Sequence, residues 1–236
     1  MNREIVVGFV KEHEDACLHT ALSQALRAKD VCGFCHNVNM DSLLLITRIR
    51  EARKTVDVGI ALSSKSKPEP YKPYYTAGFH LFHQTNASES ENIRAVLKEA
   101  FDKGYESILL MGHGTPNIPL EYLENALEEL RRGKEIVLGP TLNGRFYLIG
   151  IKKSQYERLM DANLFDDINF DIRKGRDRVI RKIRETCSNC NVLPEWYAIK
   201  SIEDLRRLCD DSSKSQGWKA RWTTCLGNDI ILTEKL

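Results

Sequence analysis

The chain has 236 residues, of which 42% are hydrophobic and 29% are charged, so it is long enough to bury one large core. Its 35 basic and 33 acidic residues nearly balance, which gives no electrostatic basis for binding nucleic acid or an anionic membrane. The apolar run near its start is too short for a membrane span and unlike a secretory signal, so we expect a cytoplasmic protein.

The first two thirds of the chain alternate between predicted strands and predicted helices, recognised from apolar runs and from apolar residues at helical spacing. In chain order they are strand 5–10, helices 14–29 and 42–53, strands 55–62 and 79–84, helix 89–103, strand 107–111, helix 119–132 and a strand that begins at Ile136. The proline-rich segment 63–75 predicts an irregular surface loop. This alternation is typical of an α/β fold with a mostly parallel central sheet and helices on both faces.

Residues 136–151 predict a strand, an irregular turn and a second strand. Two apolar runs there are separated by Gly139, Pro140, Asn143 and Gly144, which favour a turn. A turn of this kind can form the lip of a pocket.

Beyond this turn the pattern is looser. It predicts helices at 154–160, 176–186 and 201–209 and a strand at 192–198. The helix at 176–186 is rich in arginine; we favour an amphipathic surface helix, with a phosphate or nucleic-acid surface as the alternative. We expect one domain over residues 1–209 and a C-terminal extension over residues 210–236. The apolar end of the extension resembles a strand, and the extension would pack on the domain or on another subunit.

Seven cysteines without an export signal predict reduced thiols rather than a disulfide framework. Four of them form two C-x-x-C pairs, Cys32 with Cys35 and Cys187 with Cys190. The two pairs are much further apart than the roughly 15 to 20 residues usual for a zinc site of this kind. We therefore favour small buried or loop cysteines, and keep a four-thiolate zinc site as the alternative.

Four blocks of the sequence resemble a known family: ILLMGHGTPNIPLEYLENALEEL, VLGPTLNGRFYLIGIKK, LFDDINFD and VLPEWYAIKSIEDLRRL. In order and spacing they are similar to the glycosyltransferase-like proteins of the nucleotide-diphospho-sugar transferase superfamily, of the type associated with radical-SAM or arsenosugar genes. The resemblance extends from about residue 5 to residue 209. It implies a Rossmann-like GT-A fold with a ligand cleft beyond the carboxyl ends of the strands.

Proteins of that family have a Pro-Gly loop and a basic nucleotide-binding segment directly after their first strand. Here Lys11 is retained, but the loop glycine is Ala16, the lysine is His19 and the arginine is Ala21. The resemblance therefore implies that the cationic clamp on the diphosphate is missing.

The carboxylates that hold the divalent metal in the family are also replaced. The corresponding positions are Gly114, Asn143, Ala198 and Lys200. Mg²⁺ and Mn²⁺ require carboxylate oxygens, so no metal or other cofactor is expected. Arginine or lysine can neutralise phosphate in place of a metal, and Arg145 and Lys200 stand where the family has small or acidic residues.

The resemblance implies a transferase-like protein that binds a ligand or a partner without glycosyl transfer activity. The alternative is an active, metal-independent glycosyltransferase or nucleotidyltransferase that uses arginine, lysine or histidine in place of the metal. The expected ligand is a nucleotide or a sugar nucleotide, and a homo-oligomer or a protein partner stays open. His113 is expected to face solvent, with Glu121 as the acid nearest to it in sequence. The residues expected at the ligand site are Lys11, His19, Gly112, His113, Gly114, Thr115, Asn143, Gly144, Arg145 and Lys200, and the candidates for catalysis are His113 and Arg145.

Overall fold

A central sheet organises the chain in the computed structural model, which describes residues 3–11, 21–26, 28–63, 68–85, 88–161, 173–187, 189–214 and 219–233. The strands are β1 (Glu4–Phe9), β2 (Val56–Ser63), β3 (His80–Gln84), β4 (Ser107–Met111), β5 (Ile136–Pro140), β6 (Phe146–Lys152) and β7 (Cys190–Val192). Their order in the sheet is β3-β2-β1-β4-β6-β5-β7. Only β6 runs antiparallel to its neighbours, so the prediction of a mostly parallel sheet is confirmed.

Helices cover both faces of this sheet, as predicted. The helices are α1 (Ala21–Ala25), α2 (Ala28–Ala52), α3 (Lys72–Thr76), α4 (Glu89–Asp102), α5 (Leu120–Arg131), α6 (Lys153–Asp161), α7 (Arg173–Thr186), α8 (Ile202–Lys214) and α9 (Arg221–Thr233). One face packs against α4, α6 and α7, and the other packs against α2 and α5. Strand β1 shows why both faces must be apolar: Ile5 and Val7 point into the first layer, Val6 points into the second, and all three are fully buried.

A third apolar cluster lies away from the sheet and fixes the C-terminal helices. It joins the first half of α2 to α8 and α9 through residues such as Phe34, Leu205 and Ile230. The buried carboxylate of Asp41 on α2 accepts hydrogen bonds from the backbone amide and the hydroxyl of Thr223, at 2.8 and 2.7 Å. Helix α9 therefore packs on other helices, and the predicted strand near residue 229 is wrong because that segment is part of α9.

Three other local predictions need correction. Helix α2 begins at Ala28 rather than near residue 42, so Cys32 lies on a helix and not in a loop. The proline-rich segment contains a 3-10 turn, Glu69–Tyr71, followed by α3, and its buried Tyr71 holds it to the core. The predicted strand 192–198 is mostly irregular, because only Cys190–Val192 joins the sheet. The predicted helix 14–29 lies largely outside the described residues.

Within the part of the chain that the structure describes, no helix is both long enough and apolar enough to cross a membrane.

Candidate functional site

The candidate site forms where the carboxyl ends of β1 and β4 meet the start of β6. Because β6 runs antiparallel to β4, with Leu148 opposite Met111, the first residue of β6 lies at the same edge as the last residue of β4. Lys11 follows β1, His113 follows β4, and Arg145 precedes β6. The topology therefore brings together three segments that are far apart in sequence, at the edge where ligands bind in sheets of this kind.

Lys11 is held in place through its backbone. The buried side chain of Asn39 donates a hydrogen bond to the carbonyl oxygen of Lys11 at 2.9 Å and accepts one from its amide at 3.4 Å. Buried Gln84, at the end of β3, donates to the carbonyl oxygens of Val10 and Ala61 at 2.9 and 2.6 Å. These bonds fix the ends of three neighbouring strands, so the Lys11 side chain projects from a rigid base.

The turn before β6 is closed by its own hydrogen bonds. Thr141 donates its amide to the carbonyl oxygen of Arg145 at 2.6 Å, and its hydroxyl accepts from the amide of Arg145 at 2.8 Å. Gly144 has a φ of +87°, a conformation that side chains with a Cβ rarely adopt. The glycine of this turn therefore serves backbone geometry and positions Arg145.

A third segment, residues 194–200, is bonded to both loops. The amide of Ile199 donates to the carbonyl oxygen of Gly114 at 2.9 Å, and the side-chain amide of Asn143 donates to that of Ala198 at 3.4 Å. Gly114 itself has a φ of +92°. These contacts bring Lys200 to the site, although it is more than fifty residues from Arg145 in the chain.

The site brings together three positively charged side chains, Lys11, Arg145 and Lys200, which we call the cationic cluster. The pKa of Lys200 is lowered from 10.5 to about 8, chiefly by burial and then by the charges of Arg145 and Lys11, while Glu89 opposes the shift. Burial also lowers the pKa of Arg145. Glu89 lies 3.7 Å from the Lys11 ammonium, measured between Nζ and Oε1. Like charges held together at partial burial favour an anionic ligand that would neutralise them.

His113 was expected to face solvent, but the structure leaves it only partly exposed. Its Nε2 is buried and has no hydrogen-bond partner among the described residues. Burial, together with the charges of Lys11 and Arg145, lowers the pKa of His113 from 6.5 to about 3, so the ring is neutral at physiological pH. His113 lines a small cavity of about 30 Å³ together with Lys11 and Glu89. Glu121, the acid nearest in sequence, lines a different cavity.

Other buried polar atoms of these loops also lack a hydrogen-bond partner within the described ranges. Among them are the hydroxyl of Thr115, a residue that is 1% exposed, and the side-chain oxygen of Asn143. Buried polar atoms are nearly always paired, with protein, water or ligand. The two loops of the candidate site thus carry several such atoms, among them His113 Nε2.

The predicted site residues therefore converge, with one omission and one position that is not described. Lys11, His113, Arg145 and Lys200 interact electrostatically. His19 lies outside the described residues. Glu89 was missed because the sequence indicated only the start of a helix there. The signal for its placement is the capping box formed by Ser88 and Glu91, which begins α4 directly after β3.

The four-cysteine site is not formed. Cys35 packs in the cluster that joins α2 to α8, whereas Cys187 packs in the core on the sheet face that α4, α6 and α7 cover. Cys35 is disulfide-bonded, which corrects the prediction of reduced thiols at this position, and Cys32, Cys187 and Cys190 are free. The described residues contain no group of three or more histidine, cysteine, aspartate or glutamate side chains placed to hold a metal.

The overall structure is similar to several solved structures. A protein from Desulfovibrio desulfuricans G20, named for nucleotide-diphospho-sugar transfer, superposes with a TM-score of 0.76 at 22% identity, covering 99% of this chain and 98% of that one. A cytidylyltransferase from Leptospira borgpetersenii has a TM-score of 0.53 at 14% identity, covering 99% and 94%. A 4-diphosphocytidyl-2C-methyl-D-erythritol synthase from Anaerococcus prevotii has a TM-score of 0.53 at 10% identity, covering 86% and 92%.

At these low identities the superpositions show the fold alone, and this fold agrees with the one that the resemblance implied. No curated protein matches the chain. A family model matches residues 47–171, which is more than half of the chain and includes β2 to β6 with the loops that carry His113 and Arg145. The chain therefore belongs to the family described as uncharacterized protein conserved in bacteria, DUF2064.

Proposed function

We propose that this protein binds the phosphates of a nucleotide or nucleotide-sugar through the cationic cluster, without a divalent metal, and that it acts as a ligand-binding relative of the transferases rather than as a glycosyltransferase. The observation that carries the proposal is the convergence of Lys11, Arg145 and Lys200 at the edge of the sheet. Three cations at partial burial destabilise one another, and a diphosphate would remove that repulsion.

The side chains available as metal ligands support phosphate binding without a metal. The family positions that would supply carboxylates hold Gly114, Asn143, Ala198 and Lys200, none of which is an anionic oxygen ligand. Glu89 is the carboxylate that lines the small cavity with Lys11 and His113, and it lies beside an ammonium group rather than beside other acids. This arrangement does not suit Mg²⁺ or Mn²⁺, and we derive no step through either ion.

The likeness to known structures supports the choice of ligand. The relatives named above are a nucleotide-diphospho-sugar transferase and a cytidylyltransferase, and both names imply nucleotide phosphates as reactants of those proteins. In this chain the cationic cluster lies beyond the carboxyl ends of the parallel strands, which is where open α/β sheets bind their ligands. A phosphate group placed there would accept hydrogen bonds from the ammonium and guanidinium groups.

The test is thermal stability with UDP, CDP, GDP, UDP-glucose and GDP-mannose in EDTA. A bound member raises the unfolding midpoint by mass action. We expect at least one diphosphate to do so, and we expect Arg145→Ala to weaken its binding about tenfold or more, since a charge-assisted hydrogen bond is worth about 1.5–3 kcal/mol. Arg132→Ala is the matched control, because Arg132 is an exposed arginine at the end of α5. No shift with any member, or an equal loss in the control, would contradict the proposal.

A second candidate function is supported by the protonation states. With a pKa of about 8, a fraction of Lys200 is neutral at mildly alkaline pH, and His113 is neutral throughout the physiological range. A neutral Lys200 amine beside a phosphate site could accept a proton from an attacking hydroxyl, whereas an imidazole with a pKa of about 3 is too weak a base for that step. This favours a metal-independent glycosyltransferase or nucleotidyltransferase as the alternative. Release of nucleotide from a bound nucleotide-sugar in EDTA, lost in Lys200→Met, would establish it.

A further inference from the structure

A second and much larger cavity lies beside the candidate site. It is an open cleft with a volume of about 1390 Å³, lined by α2, the start of α5, α8 and the start of α9. The loops that form its inner wall are those of the candidate site. Asn117 follows the loop of Gly114, and Trp196 precedes Lys200 on the third segment. The two cavities have no lining residue in common, although Asn117 and Trp196 belong to the chain segments that also carry Gly114 and Lys200.

The inner wall presents a fixed aromatic surface. Trp196 stacks on Tyr197 with ring centroids 5.4 Å apart and meets Tyr122 edge-on at 5.6 Å. Its indole nitrogen donates to the side-chain oxygen of Asn117 at 3.3 Å, and Asn117 in turn donates to the Tyr197 hydroxyl at 2.5 Å. The indole is thus held on three sides, and a rigid aromatic face costs little entropy when a ligand packs on it.

The outer wall adds a second tryptophan and two cations. Trp222 is 41% exposed, which is unusual for such a large apolar side chain. Next to it in the lining are Lys219 and Arg221. Neither has an ion-pair partner in the part of the chain that the structure describes. The backbone of this wall is fixed, because Asp41 accepts hydrogen bonds from the amides of Trp222 and Thr223.

The acidic residues of the lining do not cancel this positive charge. Asp41 is buried, and its carboxylate is already engaged at the start of α9. Asp211 accepts a hydrogen bond from the Tyr197 hydroxyl at 2.8 Å and lies 3.7 Å from Arg207. Among the described lining residues this leaves Glu121 as the third acid, beside the cations Lys219 and Arg221.

We propose that this cavity is a second binding site, for an anionic small molecule that carries a ring with a flat apolar face. Tryptophan faces pack against the apolar face of a sugar or aryl ring, and lysine and arginine bind phosphate or carboxylate groups. This chemistry is shared by sugar phosphates and aryl phosphates. The site does not depend on nucleotide binding by the cationic cluster, because different side chains form it.

The test is calorimetric titration of the full chain with glucose 6-phosphate, phenyl phosphate, glucose and inorganic phosphate. At least one of the two ring phosphates should bind, and glucose and inorganic phosphate should bind about tenfold more weakly or not at all, since each lacks one half of the recognition. The ring phosphate that binds with the higher affinity shows whether the site prefers a sugar ring or an aryl ring.

Variants locate the binding. Trp222→Ala and Arg221→Ala change exposed side chains, and each should lower the affinity for the ring phosphate by about fivefold or more. Lys214→Ala, an exposed lysine of α8 outside the lining, is the matched control and should have no effect. Arg145→Ala should also leave this affinity unchanged, because it belongs to the cationic cluster.

Three results would overturn the proposal. They are no binding of either ring phosphate at millimolar concentration, equal binding of inorganic phosphate, or binding that is lost in Arg145→Ala and kept in Arg221→Ala. The last result would assign the phosphate to the cationic cluster, so failure of this site and failure of the proposed function give different patterns.

Discussion

Lys200→Met should make the unliganded protein more stable while weakening its ligand binding. The ammonium group of Lys200 is half-buried near two other cations, and burial and the charges of Arg145 and Lys11 lower its pKa from 10.5 to about 8. Methionine retains much of the apolar stem and removes the charge. A residue that opposes folding and serves binding is a common sign of a functional site.

The magnitude follows from the pKa. A fall from 10.5 to about 8 corresponds to about 3 kcal/mol against the charged form, and solvent screening of a half-exposed side chain reduces this to about 1 kcal/mol. For a chain of this size that is about 2–4 °C in the unfolding midpoint. The difference should be fully present below pH 8, because Lys200 is then charged in both the folded and unfolded states. It should shrink as the pH rises from 8 to 10.5, because the folded state loses the proton first.

The assay is urea denaturation of wild type and Lys200→Met at pH 7 and at pH 10. Lys214→Met is the matched control, since Lys214 is exposed on α8. We expect the Lys200 variant to be more stable at pH 7, with a smaller difference at pH 10, and the control to show no such change. A Lys200 variant that is less stable than wild type at pH 7, by the same amount at both pH values, would refute the reasoning.

Three further predictions concern His113, Asp41 and the glycines. Between pH 6.5 and 3, His113 is neutral in the folded protein and protonated in the unfolded chain, so the free energy of unfolding should fall by up to about 1.4 kcal/mol per pH unit as the pH drops. His113→Gln should reduce that slope when unfolding is measured in urea at several pH values. Equal slopes in the variant and wild type would exclude the histidine as the cause. Asp41→Ala removes three hydrogen bonds at the start of α9 and should cost about 2–3 kcal/mol by chemical denaturation; a cost under about 0.5 kcal/mol would mean that the apolar contacts alone hold this helix. Gly139→Ala would place a methyl group 2.3 Å from the ring of Tyr147 and should lower the free energy of unfolding by about 2 kcal/mol or more. Gly33→Ala, on α2, meets only an ordinary contact at 3.4 Å and should be neutral or stabilising. A lower unfolding midpoint for Gly33→Ala than for Gly139→Ala would contradict this packing.

The strands of the sheet could be predicted because their patterns are local. Ser107–Met111 is a run of five buried residues between polar segments, and its predicted bounds agree with the structure. The first half of α2 was missed for a reason that is also local. Val31, Phe34 and Val38 do have helical spacing, but Gly33 interrupts them and the flanking polar residues favour loops.

The C-terminal helix was mistaken for a strand because its packing depends on a small residue. A Cβ at Gly227 would approach Cys209 Sγ to 2.9 Å, so the two helices meet closely at a glycine that no hydrophobic pattern reveals. The apolar run Ile230–Leu232 then resembles a strand when it is considered alone. Tertiary contact with α2 and α8 decides its conformation.

The candidate site was predictable residue by residue but not as an assembly. Arg145 and Lys200 were singled out by the resemblance. Their proximity depends on the segment 194–200 being bonded to the loop of Gly114, which no local pattern encodes. The burial of His113 Nε2 could not be predicted either, since flanking glycines usually indicate an exposed loop.

The central claim is that phosphate binding at the cationic cluster needs no metal. The most direct measurement is calorimetric titration of wild type with the diphosphate that gives the largest thermal shift, once in EDTA and once in Mn²⁺. We predict dissociation constants that agree within about twofold in the two media, and binding in both that is about tenfold weaker in Arg145→Ala. Binding that appears only with Mn²⁺, or that Arg145→Ala leaves unchanged, would contradict the account.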